Sequence, residues 1–127
     1  MNKISVFAFA VLLTGLIGCV KPPTAEEWDN ADFGPPPGKT YEEVLQVLRE
    51  ELFEVLFDSG SAILKFPSPP TKRWVQKPGG KRIYGWGGQV LINAKNRFGA
   101  YIGVKKYDFV LRYGKLVFFE ESKFVNH

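Results

Sequence analysis

Thr40-Tyr41-Glu42-Glu43-Val44-Leu45-Gln46-Val47-Leu48-Arg49-Glu50-Glu51-Leu52-Phe53-Glu54-Val55-Leu56-Phe57-Asp58 decides the fold. Tyr41, Val44, Leu45, Leu48, Leu52, Val55 and Leu56 recur at spacings of three and four, so a helix gathers them into one broad apolar stripe. Val47, Phe53 and Phe57 widen it, and Glu42, Glu50, Glu51 and Glu54 fall on the outer face. Thr40 and Glu43 have the spacing of a capping box, in which each side chain answers a backbone N–H that the first turn leaves free. Gly60, with Asp58 and Ser59 before it, suits the C-terminal stop. A helix this apolar on one side cannot stand alone in water. Its stripe reads as core, and it must cover a sheet.

The sheet is legible downstream. Ser61–Phe66 is a short apolar first strand, ended by Pro67, Pro69 and Pro70, which cannot donate to a ladder. Thr71–Gln76 reads as a further edge strand, and Lys77-Pro78-Gly79-Gly80-Lys81 is a turn by composition. Arg82–Asn93 is the first long strand, with Tyr84, Trp86, Val90 and Ile92 on one face and Gln89, Leu91 and Asn93 on the other. Gly85, Gly87 and Gly88 mark a bulge or a close approach of another backbone or ring. Ala94–Gly99 leads to a second long strand, Ala100–Arg112, and Tyr113-Gly114-Lys115 turns into a third, Leu116–Glu121. On the second strand Ile102, Val104 and Val110 oppose Tyr101, Tyr107, Phe109 and Leu111, so periodicity leaves open which face meets the helix. The fold class is α+β: one amphipathic helix on a meander sheet of three to five antiparallel strands, forming a single domain over residues 40–127.

Ahead of the helix the chain changes character. Met1-Asn2-Lys3 carries one positive charge, and Ile4–Ile17 is apolar apart from Ser5, Thr14 and Gly15. That length fits the core of a signal peptide and falls short of the roughly 20 residues of a bilayer-spanning helix. Leu16-Ile17-Gly18-Cys19 closes it. Apolar, apolar, small, Cys after such a core resembles the lipobox of bacterial lipoproteins. The resemblance implies lipid on Cys19, cleavage before it so that residues 1–18 are removed, and acylation of the new N-terminus. Two or more acyl chains anchor a protein stably. In Gram-negative lipoproteins an Asp after the Cys favours the inner membrane; Val20 stands there, which implies the outer membrane. Residues 19–39 then form a lipidated tether. Its five prolines (Pro22, Pro23, Pro35, Pro36 and Pro37) favour extended polyproline II, with a reach of about 60 Å. Trp28 and Phe33 are unusual in a spacer and are candidates to dock on the domain or on a partner.

Two further stretches carry a resemblance. Leu56–Phe66, with Leu56, Asp58, Ser61 and Ala62 in a leucine–x–Asp–x–x–Ser–Ala pattern, resembles a segment of small Gram-negative lipoproteins. Tyr84-Gly85-Trp86 and Val90–Gly103, through Asn93-Ala94-Lys95-Asn96, Gly99, Tyr101 and Gly103, are similar to the hairpin of the same group. Those proteins often have Pro after the Asp and a second Gly before the Tyr, where Ser59 and Ala100 stand here. The group carries no assigned activity, so the resemblance implies the helix-and-hairpin order and envelope location but no functional residue.

Composition narrows the chemistry. Cys19 is the only cysteine, which rules out an intramolecular disulfide and a Cys-ligated metal site in the domain. His127, the only histidine, is the last residue; a Ser–His–Asp triad or a histidine metal cluster has nothing to be built from. Ser61 and Lys65 on a strand are about 13 Å apart, too far for a nucleophile and its base. Asp108 has only Glu120 and Glu121 as potential carboxylate neighbours across the sheet. No catalytic residue, cofactor or metal is expected. Residues 20–60 carry three basic against ten acidic side chains, and residues 61–127 thirteen against three. The plain reading is an acidic helix complementing a basic sheet. The functional one is a basic face meeting phospholipid, lipopolysaccharide, glycan carboxylates or an acidic protein. Arg97-Phe98-Gly99-Ala100-Tyr101-Ile102 lacks the glycine that an RNA-recognition strand has after its basic residue, and no nucleic-acid partner is expected.

Asn93-Ala94-Lys95-Asn96-Arg97 is the most polar cluster between apolar strands. Asn amides serve connecting loops by bonding backbone; as a site, they, Lys95 and Arg97 would supply donors beside Trp86 or Tyr101 as a stacking platform. Trp86, Asn93, Asn96, Arg97, Tyr101 and Lys105 are therefore the candidate contact residues. The expected role is that of a non-catalytic accessory or scaffold subunit, held to the membrane by lipid on Cys19, that binds another envelope protein or the cell wall. The alternative is a lipoprotein that binds a small ligand or glycan in a pocket between Trp86 and Asn93–Arg97.

Overall fold

The computed structural model describes residues 21–122. The signal-peptide and lipobox readings, with Cys19, fall outside the described residues, as does His127. The elements in order are α1 (Ala25–Asn30), α2 (Tyr41–Glu51) with a single 3-10 turn at Leu52–Glu54, β1 (Ile63–Lys65), β2 (Thr71–Gln76), β3 (Arg82–Lys95), β4 (Tyr101–Arg112) and β5 (Lys115–Glu121). Among the described residues no helix is long and apolar enough to cross a membrane.

The expected α+β fold is observed: α2 packs on a five-stranded antiparallel sheet. β3 is the spine. β4 pairs with it along one side and β5 follows β4. The other side of β3 is shared: β2 takes Arg82–Gly87 and β1 takes Leu91–Asn93. Tyr113 and Gly114, both at positive φ (50° and 76°), make the two-residue turn between β4 and β5, a type I′ geometry that matches strand twist.

The register settles which face is covered. Tyr107, Phe109 and Leu111 lie across from Val90, Gly88 and Trp86, and Leu64 across from Ile92. Val90, Ile92, Phe109, Leu111 and Leu64 are buried with Val44, Leu48 and Leu52. Tyr84 and Trp86, on the same face of β3, are covered by a different part of the chain. Trp28 and Phe33 bury themselves there with Trp74, their rings 4.6 Å apart. One sheet face therefore has two lids: α2 over one half, and residues 21–38, a strap rather than an extended spacer, over the other.

The strap is built like a small domain segment. Thr24 and Glu27 form a complete capping box for α1, with Thr24 N–H donating to Glu27 Oε1 at 2.8 Å and Glu27 N–H to Thr24 Oγ1 at 3.1 Å. Pro23, Trp28 and Phe33 are buried. Trp86 Nε1 donates to the Gly34 carbonyl at 3.0 Å, and Arg112 donates to the carbonyls of Asp32 and Tyr84. The expected extended tether is not what forms: Trp28 and Phe33, candidates to dock on the domain, do so, one on the helix and one beyond it, and fill the apolar half-face that α2 does not cover.

The main helix also departs from its sequence reading. Regular α-helix ends at Glu51, and the last turn tightens at Leu52. Val55, expected in the stripe, and Phe53 and Phe57, expected to widen it, are instead 54%, 70% and 71% exposed. Arg49 pulls the following loop back by donating to the carbonyls of Ser59 and Ala62, both at 2.7 Å. Glu51 accepts from Leu116 N–H at 2.7 Å, which ties the end of α2 to β5. At the other end Thr40 Oγ1 accepts from Glu43 N–H, but the Glu43 carboxylate reaches back to Lys39 N–H rather than to Thr40.

Candidate functional site

The polar loop singled out in the sequence sits at one extremity of the sheet. Asn96 Oδ1 accepts from Phe98 N–H at 2.9 Å and Ala100 N–H at 3.2 Å, and Asn96 N–H donates to the Ala100 carbonyl. Asn93 Oδ1 accepts from Gly103 N–H at 3.1 Å, where the β3–β4 register shifts. Both amide oxygens are thus spent on shaping the hairpin, the loop role that Asn chemistry favours. Lys95 lies over the Tyr101 ring, 5.3 Å from its centroid.

The two stretches that carried the resemblance meet here. Tyr101 Oη donates to the Ser61 carbonyl at 3.0 Å. Asp58 in turn holds that loop: its carboxylate accepts from Ser61 N–H, and its carbonyl accepts from Ser61 Oγ. The Ser61 hydrogen bond, with the charge of Lys95, keeps the Asp58 carboxyl below its ordinary range. The spacings Asp58–Ser61 and Asn93–Asn96–Tyr101 are accordingly those of two loops that brace each other.

What this end offers to solvent is apolar and basic. Phe98 is 89% exposed and Val104 64%, and Ile63, Ile102 and Phe57 are also exposed. Ile63, Asn93 and Val104 form one cross-strand row on the face opposite α2. Arg97 in the loop and Lys105, which lies across from Ile92 and so on the other face, are also exposed. β5 reaches along β4 only as far as Tyr107, and Ser122 N–H makes one further bond to the Lys106 carbonyl. Among the described residues, no strand pairs with the outer edge of Tyr101–Lys105; residues 123–127 lie beyond them. A strand edge with unpaired N–H and C=O groups is a template for another extended chain.

The structure brings Asn93, Asn96, Arg97, Tyr101 and Lys105 together, and it separates Trp86 from them. Trp86 lies seven residues before Asn93 on β3, roughly 23 Å along a strand. Its indole N–H is bonded to Gly34, and its ring packs against the Trp28–Phe33–Trp74 cluster. The ligand pocket drawn between Trp86 and Asn93–Arg97 is therefore not assembled: Trp86 is occupied by the chain's own strap. Sequence reasoning passed over Phe98, Ile102, Val104 and Ile63 as contact residues. The signal that could have found Ile102 and Val104 is their place at the start of β4, ahead of the part of that strand that β5 pairs with among the described residues.

Acid chemistry gathers elsewhere. Asp108 is the cross-strand partner of Glu120 and accepts from Ser122 Oγ at 3.3 Å, while Glu120 is exposed. Arg73, half-buried on the same face, has its guanidinium pushed below its ordinary pKa by burial, with Asp108 opposing that shift. Among the described residues no three His, Cys, Asp or Glu side chains cluster as a metal site. No family model, curated protein or solved structure matches this chain.

Proposed function

We propose that this chain is a lipid-anchored, non-catalytic protein of the bacterial envelope, held at the outer membrane through Cys19. It serves as an accessory or scaffold subunit, binding another envelope component through the hairpin end of its sheet. The observation that supports the binding surface is the coincidence there of a strand edge, Tyr101–Lys105, that no described residue pairs with, and exposed Phe98, Ile102, Val104 and Ile63. Soluble monomers rarely leave such apolar groups contiguous without a partner. Backbone pairing along the edge would give affinity, alternate side chains specificity, and Arg97 and Lys105 a preference for an acidic partner.

Photo-crosslinking residues placed singly at Phe98 and Ile102, with exposed Glu50 on the outer face of α2 as control, test this in living cells. The expected result is an adduct of one reproducible mass from the two hairpin positions and none from Glu50. Val104→Lys, which places a charge on the edge, should lower the adduct yield about tenfold while leaving the fold unchanged by circular dichroism. Absence of any adduct from either hairpin position across growth states would overturn the reading.

A further inference from the structure

The strap that closes half of the sheet also decides how far from a membrane the domain can stand. Arg82 donates to the Lys21 carbonyl at 3.1 Å and pairs with the Glu27 carboxylate at 3.2 Å, and Pro23, Trp28 and Phe33 are buried. The chain is therefore docked on the sheet from Lys21 onward. Cys19 precedes Lys21 by two residues, which span at most about 7 Å between Cα atoms. A lipid on Cys19 would thus be attached beside the first residue of β3, not at the end of a 60 Å leash.

We propose that the end of the sheet formed by the β2–β3 turn rests on the anionic headgroups of the membrane that holds Cys19, with Lys77 and Lys81 as its contacts. This rests on the lipid-anchor reading above. The turn leaves Gln76 and returns at Arg82, the residue that holds Lys21. It is locally rigid: Gly80 N–H donates to the Lys77 carbonyl at 2.8 Å and Gln76 Nε2 to the Gly80 carbonyl at 2.9 Å. Residues 77–81 are all exposed. The charges toward this end include Lys21, Lys77, Lys81 and Arg82, with Arg112 and Lys115 at the β4–β5 turn, against Glu26, Glu27 and Asp29 of α1 and Asp32, which pairs with Arg112. Arg82 and Glu27 neutralise each other, so Lys77 and Lys81 at the turn itself face no acid from their own hairpin. Short polybasic clusters next to an anchor add attraction to anionic lipid that falls off within a Debye length. At the opposite end of β3, up to about 43 Å along the strand, the Asn96–Gly99 hairpin and Phe98 then point away from the membrane. The anchor side and the partner side become the two ends of one strand.

The test uses the lipidated full chain in vesicles of phosphatidylcholine with or without 30% phosphatidylglycerol. Pro78→Cys or Phe98→Cys, labelled with an environment-sensitive fluorophore, is challenged with headgroup-level nitroxide lipids. The expected result is quenching at least threefold stronger at position 78 than at 98. It should fall at least twofold in pure phosphatidylcholine and to the same degree in the Lys77→Gln/Lys81→Gln pair, whose flotation with vesicles stays unchanged. Equal quenching at both positions, or quenching at 78 indifferent to lipid charge and to the lysines, overturns the proposal while leaving the anchor intact. A chain that carries no lipid and does not float with vesicles overturns both readings.

Discussion

Gly85 and Gly87 show how much of this sheet depends on missing side chains. A Cβ on Gly87 would lie 1.9 Å from the Phe109 carbonyl oxygen, and one on Gly85 would lie 2.5 Å from that of Leu111. β3 can bend against β4 only because both positions carry hydrogen. Gly87→Ala is expected to force the central strands apart and cost at least the 1–3 kcal/mol, roughly, of core overpacking. Gly79→Ala, at φ +75° but with nothing within 4 Å, should cost only about 1 kcal/mol. Urea unfolding of the two variants checks the contrast; similar midpoints would contradict it. Leu48, fully buried between α2 and the sheet, should lose about 2–5 kcal/mol on truncation to Ala by the same assay.

At the scale of elements, the strap is the part whose attachment can be watched directly. The chain has three tryptophans, Trp28, Trp74 and Trp86, and all belong to the cluster the strap closes. Phe33→Ala removes a buried ring from that cluster, a change worth about 3–5 kcal/mol in cores. The expected outcome is a red-shifted tryptophan emission and new protease cleavage within residues 21–39, with the far-UV signature of the sheet retained. Acid should act on the same element. The Asp32 carboxyl is held below its ordinary 3.8 by the Tyr113 hydroxyl first, then by the Gly34 N–H and the Arg112 guanidinium. Glu27 is likewise held below 4.5 by the Thr24 backbone N–H and by Arg82. Both groups favour the docked strap when ionised. Their contribution is complete above the ordinary carboxylate range and is lost as pH falls through the lowered folded-state values. Tryptophan emission should therefore hold steady from neutrality to about pH 5 and shift red below roughly pH 4. In Asp32→Asn the neutral-pH spectrum should stay close to that of the parent, because an exposed pair contributes little, while the red shift on acidification becomes smaller; an acid shift of undiminished size in that variant would refute the part assigned to Asp32.

For the whole molecule, charge is partly balanced within the fold. The acidic N-terminal portion lies on the basic sheet, through Glu27–Arg82 at 3.2 Å and Asp32–Arg112 at 3.5 Å, so part of the sequence's charge asymmetry is spent internally. Exposed pairs of this kind contribute little to stability; their consequence is to place Lys21 on the sheet. Under the proposed lipid anchor, Cys19→Ala is expected to move the protein from the membrane to the soluble fraction with an unchanged thermal midpoint. Membrane retention of that variant on fractionation would contradict the anchor.

Local signals in the sequence by themselves determined the element order from α2 onward, the α+β class and the faces of β3, but not α1, which lies in the stretch read as an extended tether. Three-four spacing marks the helix, alternation marks the strands, and prolines and glycines mark their ends, all within a few residues of one another. The roles of Asn93 and Asn96 were legible for the same reason, as amides in a short loop. Only the tertiary structure decided that Trp28 and Phe33 cover Tyr84, Trp86 and Trp74, and that Phe53 and Phe57 are left outside. It also decided that the indole N–H of Trp86 is taken up by the Gly34 carbonyl. These are contests between distant segments for one apolar face of limited area. Which segment wins depends on helix length and sheet bend, quantities that no local spacing records.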